Sequence, residues 1–438
     1  MSKKIGFWSV VALVIGSQIG SGILMLPVDL APFGVWGQLS WLLAAGGAII
    51  LALIFSRLCR SFPITGGPHV YIRQAFGNQW SFCAAWLYWI SSWGSTTALI
   101  VSIASYLGPL TGITNPDHLL VMQLVTIFII MIINIFGVQV AGYFEFFFTV
   151  MKVIPFILIP VLGYKMCHFE YIFSSEFSVT NPSASPLPLL FQAGLLTMWS
   201  FIGLETATTS AGSVQNPQKT IPRAVILGTM LVALIYISNS LVISSLIPPS
   251  TLITAISPYA LAAKKILGAN FEKAIAFCAV IALIGTINAW TLSSSQVAYG
   301  AANDKIFPDF FKRTNRFQAP YISVLVSSLG TVPFLLILNS KSFSKQFNII
   351  ISVSVIAFLL VYMGCVLAYL KLTIQKKISI GKMKSSLALG GVGGLFCLWG
   401  IIHGSICIFS IEFFVFFGSV SISGWIMHRF CCSNKFIA

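Results

Sequence analysis

The stretch Gly16-Ser17-Gln18-Ile19-Gly20-Ser21-Gly22 lies inside an apolar run that covers residues 7–28. Its three glycines and two serines weaken a helix that the flanking residues would otherwise continue. What such a break means depends on the surrounding solvent. The chain has 438 residues, of which 57% are hydrophobic and only 8% charged, and its mean hydropathy is +0.93. Soluble domains carry roughly 25% charged residues, so this chain cannot cover a water-facing surface. That excludes a soluble enzyme, a disordered protein and a disulfide scaffold, and leaves an integral membrane protein. In hydrocarbon, the N–H and C=O groups freed by a broken helix are tolerated only where they line a cavity or bind something.

Working outward, apolar runs fall at about 7–28, 38–56, 80–109, 119–141, 147–164, 188–212, 223–247, 271–300, 320–338, 347–370, 386–408 and 410–428. Each is near the roughly 20 residues a spanning helix needs, which predicts an all-α membrane protein of about twelve helices with no separate soluble domain. Numbered from a cytoplasmic N-terminus, the inside segments hold 19 of the 25 Lys and Arg residues and the outside segments 6. This bias predicts both termini inside and an even number of spans. It also accounts for the net charge of +15 without nucleic acid. Lys3-Lys4 followed by an apolar run imitates a signal peptide, but no clear small-x-small cleavage site precedes Pro27, so the run is expected to stay as the first helix.

A second interruption matches the first. Trp199-Ser200-Phe201-Ile202-Gly203-Leu204-Glu205 places a glycine and a carboxylate at comparable depth in the sixth run. Each break opens a five-span half, about 6–165 and about 186–372, and runs 11 and 12, about 386–428, are appended. Interrupted segments at corresponding positions of two halves point to a transporter site at the midplane. A half-helix starting after the first break would turn N–H groups and its positive dipole end toward an anion. The bland alternative is close helix packing, since Gly16 and Gly20 have G-x-x-x-G spacing.

Glu205 is the acid that lies within an apolar stretch, while most of the ten acids sit in loops or near span ends. An ionisable group at that depth is costly and functional by default, which makes Glu205 a candidate proton carrier or switchable gate. Trp199, beside the break, and Trp290, in Asn288-Ala289-Trp290-Thr291, are candidate platforms for a substrate cation. Ser91, Ser92, Thr96 and Ser354 are hydroxyls in apolar helices, and most such residues bond to their own helix backbone. The nine cysteines form no C-x-x-C and the five histidines no metal-ligand spacing. Motifs of the common hydrolases, proteases and ATPases are absent, so no enzyme activity and no cofactor are expected. The cluster Gly390-Gly391-Val392-Gly393-Gly394 precedes no phosphate-binding element and is expected to pack helices.

With these residues in view, the chain resembles the amino acid–polyamine–organocation superfamily, and within it the basic amino acid/polyamine antiporters. The resemblance rests on Gly20-Ser21-Gly22-Ile23 with Leu26-Pro27, Gly66-Gly67 through Tyr71 to Phe76-Gly77, and Trp199 to Glu205. Asn216-Pro217 through Pro222, Trp290 and Ile306-Phe307-Pro308 add to it. It implies two inverted five-helix halves plus two further helices, often as a homodimer in a bacterial inner membrane. It implies that Ser21, Gly22 and Ile23 receive a substrate carboxylate and that carbonyls near Trp199 and Ile202 take the α-ammonium. Trp290 would cover the side chain, Trp199 with Ser21 would gate the site, and Tyr88, Glu205 and Tyr362 would form a pH-responsive cytoplasmic gate. Ser91, Ser92, Thr96 and Ser354 fall at side-chain pocket positions.

The chain departs from the arginine-exchanging members at several of these positions. Thr96 replaces an asparagine, Ser91 and Ser92 replace an alanine and a cysteine, and His69 replaces a tyrosine. A threonine has one donor fewer and cannot bracket a planar guanidinium as an amide can. Arginine, agmatine, ornithine, lysine, putrescine and a neutral amino acid therefore all stay open as substrates. The expected function is a secondary carrier that exchanges a basic amino acid for a related amine or amino acid by alternating access. A proton-coupled symporter and a non-transporting amino acid sensor are the alternatives.

Overall fold

Both glycine-rich interruptions end a helix. The computed structural model describes residues 4–113, 115–173, 186–338, 343–378 and 383–407, with 418, 420, 423, 424 and 427 as isolated positions. The first span divides into α1 (Phe7–Gln18) and α2 (Ser21–Leu30), followed by α3 (Val35–Ser61). A short helix, α4 (Pro68–Phe76), leads into the long α5 (Asn78–Thr111), and then come α6 (Pro116–Ile135), α7 (Val138–Gly163) and the single turn α8 (Glu170–Phe173). The sixth span is α9 (Pro186–Trp199) and the one-turn α10 (Thr206–Thr209), which leads to α11 (Pro217–Leu246). Next are the turn α12 (Pro249–Leu252), the short α13 (Pro258–Leu267) and α14 (Ala269–Asn303). A kinked pair, α15 (Tyr321–Leu329) and α16 (Thr331–Leu338), precedes α17 (Phe343–Ile374) and α18 (Met383–Cys407). Run 410–428 falls mostly outside the described residues.

Eight of these segments are long and apolar enough to cross a membrane. The other three described runs have physical reasons to score lower. Helix α5 carries Ser91, Ser92, Ser95, Thr96 and Thr97, the sixth span is cut at Trp199, and the ninth is divided at Gly330. Helices α6 and α7 turn Val125, Phe128, Phe147 and Val161 outward, as lipid-facing surfaces require. Lipid supplies little hydrophobic drive between helices, so close packing on small residues matters more. A Cβ on Gly390 would meet Leu370, one on Gly393 would meet Ile54, and one on Gly400 would meet Leu359. The glycines of the 390–394 cluster therefore seat α18 on α17 and α3.

Two features differ from the sequence reading. The boundary between the fourth and fifth spans lies at Phe136-Gly137, with Gly137 in a left-handed conformation at φ 105°, not in the predicted gap between runs 119–141 and 147–164. Helix α7 starts at Val138, so Glu145 is two turns inside a helix and Lys152 is near its middle, both fully buried. Lys152 accordingly leaves the set of inside basic residues, and the charge bias survives its loss. The second feature is a pair of short amphipathic helices at matching places in the two halves. Helix α4 runs from Pro68 to Gly77 and α13 from Pro258 to Gly268, each linking one long span to the next. Gly77 at φ 87° and Gly268 at φ 94° end one helix and begin the other, a turn that needs the conformational freedom of glycine.

Candidate functional site

The last carbonyls of α1 have lost their helical partners, and each is met by a side chain from another helix. Lys152 Nζ donates to Gly16 O at 2.7 Å and to Ile19 O at 3.2 Å. Trp290 Nε1 donates to Ser17 O at 3.1 Å, Tyr236 OH to Gln18 O at 2.5 Å, and Thr286 Oγ1 to Ile19 O at 2.6 Å. On the far side of the break, α2 begins with no side-chain cap. The amides of Ser21, Gly22 and Ile23 have no acceptor among the described residues. The first break thus has filled carbonyls and open N–H groups, with the positive end of a helix dipole behind them.

The sixth-span break has the opposite character. Three of its amides are spent in tight turns, Ser200 N on Thr197 O at 3.1 Å, Phe201 N on Met198 O at 3.0 Å and Ile202 N on Trp199 O at 3.2 Å, and Gly203 N reaches Tyr362 OH at 3.5 Å. Tyr236 OH also donates to Ser200 O at 3.1 Å. The carbonyls of Phe201 and Ile202 have no donor among the described residues. Gly203 makes the turn at φ 113°, and a Cβ there would lie 3.1 Å from Ser17 Oγ, so the two breaks touch at this point. Ser17 Oγ bonds Gly203 O at 3.0 Å and Thr206 Oγ1 at 2.8 Å.

Between the breaks lies a narrow cavity of about 20 Å³, which holds a water molecule or so and is too small for an amino acid. Its wall contains Ser21, Gly22, Trp199, Ile202 and Trp290 from the expected set. Trp199 Nε1 donates to Ser21 Oγ at 3.3 Å and bridges the two breaks across one side. Ile23 is buried one residue beyond the wall. Ser91, Ser92 and Thr96 are buried on α5 but off the wall, with hydroxyls on Leu87 O at 2.6 Å, Trp89 O at 2.6 Å and Ser92 O at 2.8 Å. Ser354 is buried on α17, also off the wall. The wall further includes Ser95 and Leu99 from α5 and Thr286 from α14. Helical phase, which sequence alone leaves free, decides that Ser95 rather than Thr96 faces the cavity.

Next to the cavity, Glu205 is fully buried. Tyr88 OH donates to its Oε1 at 2.8 Å and Tyr362 OH to its Oε2. The Tyr88 ring lies against Trp290 with centroids 6.5 Å apart, so the acid clamp backs the wall. The same end of the molecule is closed further out. Ile5 pairs with Val214, through Ile5 N on Ser213 O at 2.9 Å and Gln215 N on Ile5 O at 3.0 Å, which ties the entry to the first span to the exit from the sixth. Gly66 N reaches Thr209 O at 3.0 Å. On α4, His69 Nε2 lies 3.3 Å from Asp304 Oδ2, and Arg73 pairs with Asp304 Oδ1. Burial pushes the Asp304 carboxyl up, but His69 and Arg73 outweigh it and hold the group below its ordinary value.

The expectation that Glu205 is the one acid deep in the spans needs correction. A second acid, Glu145, lies buried in the spans and pairs with the buried Lys152, 3.7 Å away. Glu145 also accepts from Asn288 at 3.1 Å and Thr149 at 3.2 Å, and Asn134 donates to Asn288 at 3.0 Å. The network joins α6, α14 and α7 to the α1 break, where Lys152 supplies positive charge to two carbonyls. A Cβ on Gly16 would lie 1.8 Å from Glu145 Oε1, while one on Gly20 would meet Thr286 and Leu99. The two glycines therefore serve different neighbours and do not form one packing stripe. No grouping of three or more metal-ligating side chains occurs among the described residues.

The amino acid permease family model matches residues 5–428. The chain is similar to the putrescine transporter PotE of Haemophilus influenzae, at 28% identity over 99% of this chain and 98% of the relative. It is similar to the Escherichia coli K12 putrescine transporter PotE at 26%, over 99% and 98%. It also matches the cadaverine/lysine antiporter of the same strain at 27%, over 77% and 76%. A multi-pass membrane chain matched over nearly its whole length, with both broken spans inside the match, belongs to the amino acid permease family.

Proposed function

We propose that this protein is an antiporter that exchanges a basic amino acid for a related amine across a bacterial inner membrane. One observation carries the reading: Ser21 and Gly22, whose amides are open, and Ile202, whose carbonyl is open, line one cavity walled by Trp199 and Trp290. Open N–H groups at a helix start suit a carboxylate. Open carbonyls suit an ammonium with three donors. The names of the relatives, which concern putrescine, cadaverine and lysine, support amine-bearing substrates. Ser91, Ser92, Thr96 and Ser354 would join the pocket when the helices separate to admit a side chain, with Trp290 over the cation.

The two halves, about 6–165 and 186–372, rock about this midplane site, with both termini in the cytoplasm. Tyr88, Glu205 and Tyr362 act as the inner gate. The contracted cavity and the closed end at Ile5 and Val214 suit a state that admits nothing from that side. The test is exchange in reconstituted vesicles. Labelled lysine should enter only when lysine or putrescine is loaded inside, and a pH gradient alone should drive nothing. Uptake into unloaded vesicles on a pH gradient would favour the second reading, proton-coupled symport. Burial of Glu205 between two tyrosines supports that reading as the place for the proton.

A further inference from the structure

Two polar side-chain atoms on the cavity wall lack a partner although their residues are almost completely buried, Gln18 Oε1 and Ser200 Oγ. Gln18 is 3% exposed and Ser200 2%. A buried acceptor without a donor is costly, so such atoms in a cavity wall point to a ligand. For Gln18 the orientation of the amide is set by chemistry. Its Nε2 donates to Val14 O at 3.0 Å, and a backbone carbonyl can only accept, so the nitrogen must face Val14 and the oxygen the cavity.

The carbonyls of this segment explain what that oxygen is for. Gly16, Ser17, Gln18 and Ile19 have all given their backbone oxygens to Lys152, Trp290, Tyr236 and Thr286. These four carbonyls already accept from side chains, whereas Gln18 Oε1, on the same wall, accepts from nothing among the described residues. It lies three residues before Ser21, where the open amides begin, and shares a small cavity with Ile202. A group that gives hydrogen bonds beside a carboxylate is the α-ammonium of an amino acid.

We propose that Gln18 is a specificity-determining residue whose side-chain oxygen accepts a hydrogen bond from the substrate α-ammonium, opposite the carbonyls of Phe201 and Ile202. The assignment rests on the transport reading above and adds to it a side chain that selects for a free amine. Ser200, whose hydroxyl stands where a Cβ on Gly22 would lie 2.1 Å away, is placed to donate to the neighbouring carboxylate.

The test is a cycle between one side chain and one substrate group, read as equilibrium binding to the purified full-length protein. The probes are lysine and the lysine analogue that lacks the α-amino group. Gln18→Met keeps the size of the side chain and removes the acceptor. It should weaken lysine binding roughly tenfold or more, the scale of a hydrogen bond to a charged group. Binding of the analogue should change less than about twofold, because the lost partner is absent already. Gln18→Glu keeps an oxygen and gives up the amide donor to Val14, and should retain lysine binding within a few-fold. Equal losses for both probes in Gln18→Met, or a loss in Gln18→Glu as large as in Gln18→Met, would assign Gln18 to packing and overturn the proposal. Wild-type protein that binds neither lysine nor putrescine would overturn the transport reading and this assignment together. Wild-type binding with an unaffected Gln18→Met would overturn this assignment alone.

Discussion

The two broken spans solve the same problem with opposite polarity. At the first break the carbonyls of Gly16 to Ile19 each have a side-chain donor, one of them the buried Lys152, and the amides of Ser21 to Ile23 stay open among the described residues. At the second the amides of Ser200, Phe201 and Ile202 are consumed in short turns and the carbonyls of Phe201 and Ile202 stay open among the described residues. One break therefore presents donors and the other acceptors. A zwitterion needs both, with one carbon between its charged groups. The contrast also shows that a break in lipid is maintained by its neighbours. Glycines allow the chain to leave the helix, but Lys152, Trp290, Tyr236 and Thr286 hold it there.

The strongest way to break the comparison is to remove the cation behind the first break. Lys152→Met strips Gly16 O of its donor and Ile19 O of one of its two, and leaves Glu145 buried without its charged partner. A loss of about 3–5 kcal/mol is expected, measured as a lower thermal unfolding midpoint in detergent, together with loss of exchange. Replacing Glu145 by Leu as well should recover much of the stability, since an apolar pair can stand in for a buried ion pair. Exchange should stay absent, because the Gly16 carbonyl remains uncapped. Recovery of exchange in the double variant would mean that Lys152 serves Glu145 and not the break.

Trp290 spans the two regions, with its indole on Ser17 O and its ring beside Tyr88. Trp290→Ala should weaken substrate binding by roughly 1–2 kcal/mol, the range for a desolvated cation–π contact. Wild-type affinity in competition binding would make it a packing residue. On the second break, Glu205→Gln keeps the shape of the clamp while removing its charge. Exchange should persist at reduced rate with a flattened pH profile, and an unchanged profile would remove Glu205 from the gate.

The smallest effect belongs to the outer closure. The Asp304 carboxyl is held below its ordinary value, so its contribution to stability is complete above its unfolded-state value and is lost as pH falls through the folded one. Asp304→Asn should therefore lower the unfolding midpoint at about pH 6, and the gap to wild type should close below about pH 4. A gap that does not vary with pH would assign the effect to packing.

Much of this was legible in the sequence because the bilayer makes polarity informative. Glycines clustered in an apolar run, a lone carboxylate at Glu205 and tryptophans beside it have few innocent explanations in hydrocarbon. The Tyr88–Glu205–Tyr362 contact and the Trp199–Ser21 bridge needed the resemblance, since spacing alone does not bring residues from three spans together. Glu145 and Lys152 escaped because Phe136-Gly137-Val138 is an apolar turn. Without polar punctuation the boundary slid toward residue 144, where a glutamate looks like a loop residue. The short helices at Pro68 and Pro258 were overlooked because each is amphipathic and brief, though both carry a proline start and a glycine end. Ser95, Leu99 and Thr286 depended on helix rotation, which tertiary packing sets.

The central claim is that the donor face of the first break and the acceptor face of the second hold the two ends of one amino acid head group. A structure of the protein with lysine bound tests it most directly. The carboxylate should lie within hydrogen-bond distance of the amides of Ser21 and Gly22, and the α-ammonium within the same distance of the carbonyls of Phe201 or Ile202. A head group bound with its carboxylate away from the start of α2, or a ligand seated outside the space between Trp199 and Trp290, would contradict the account.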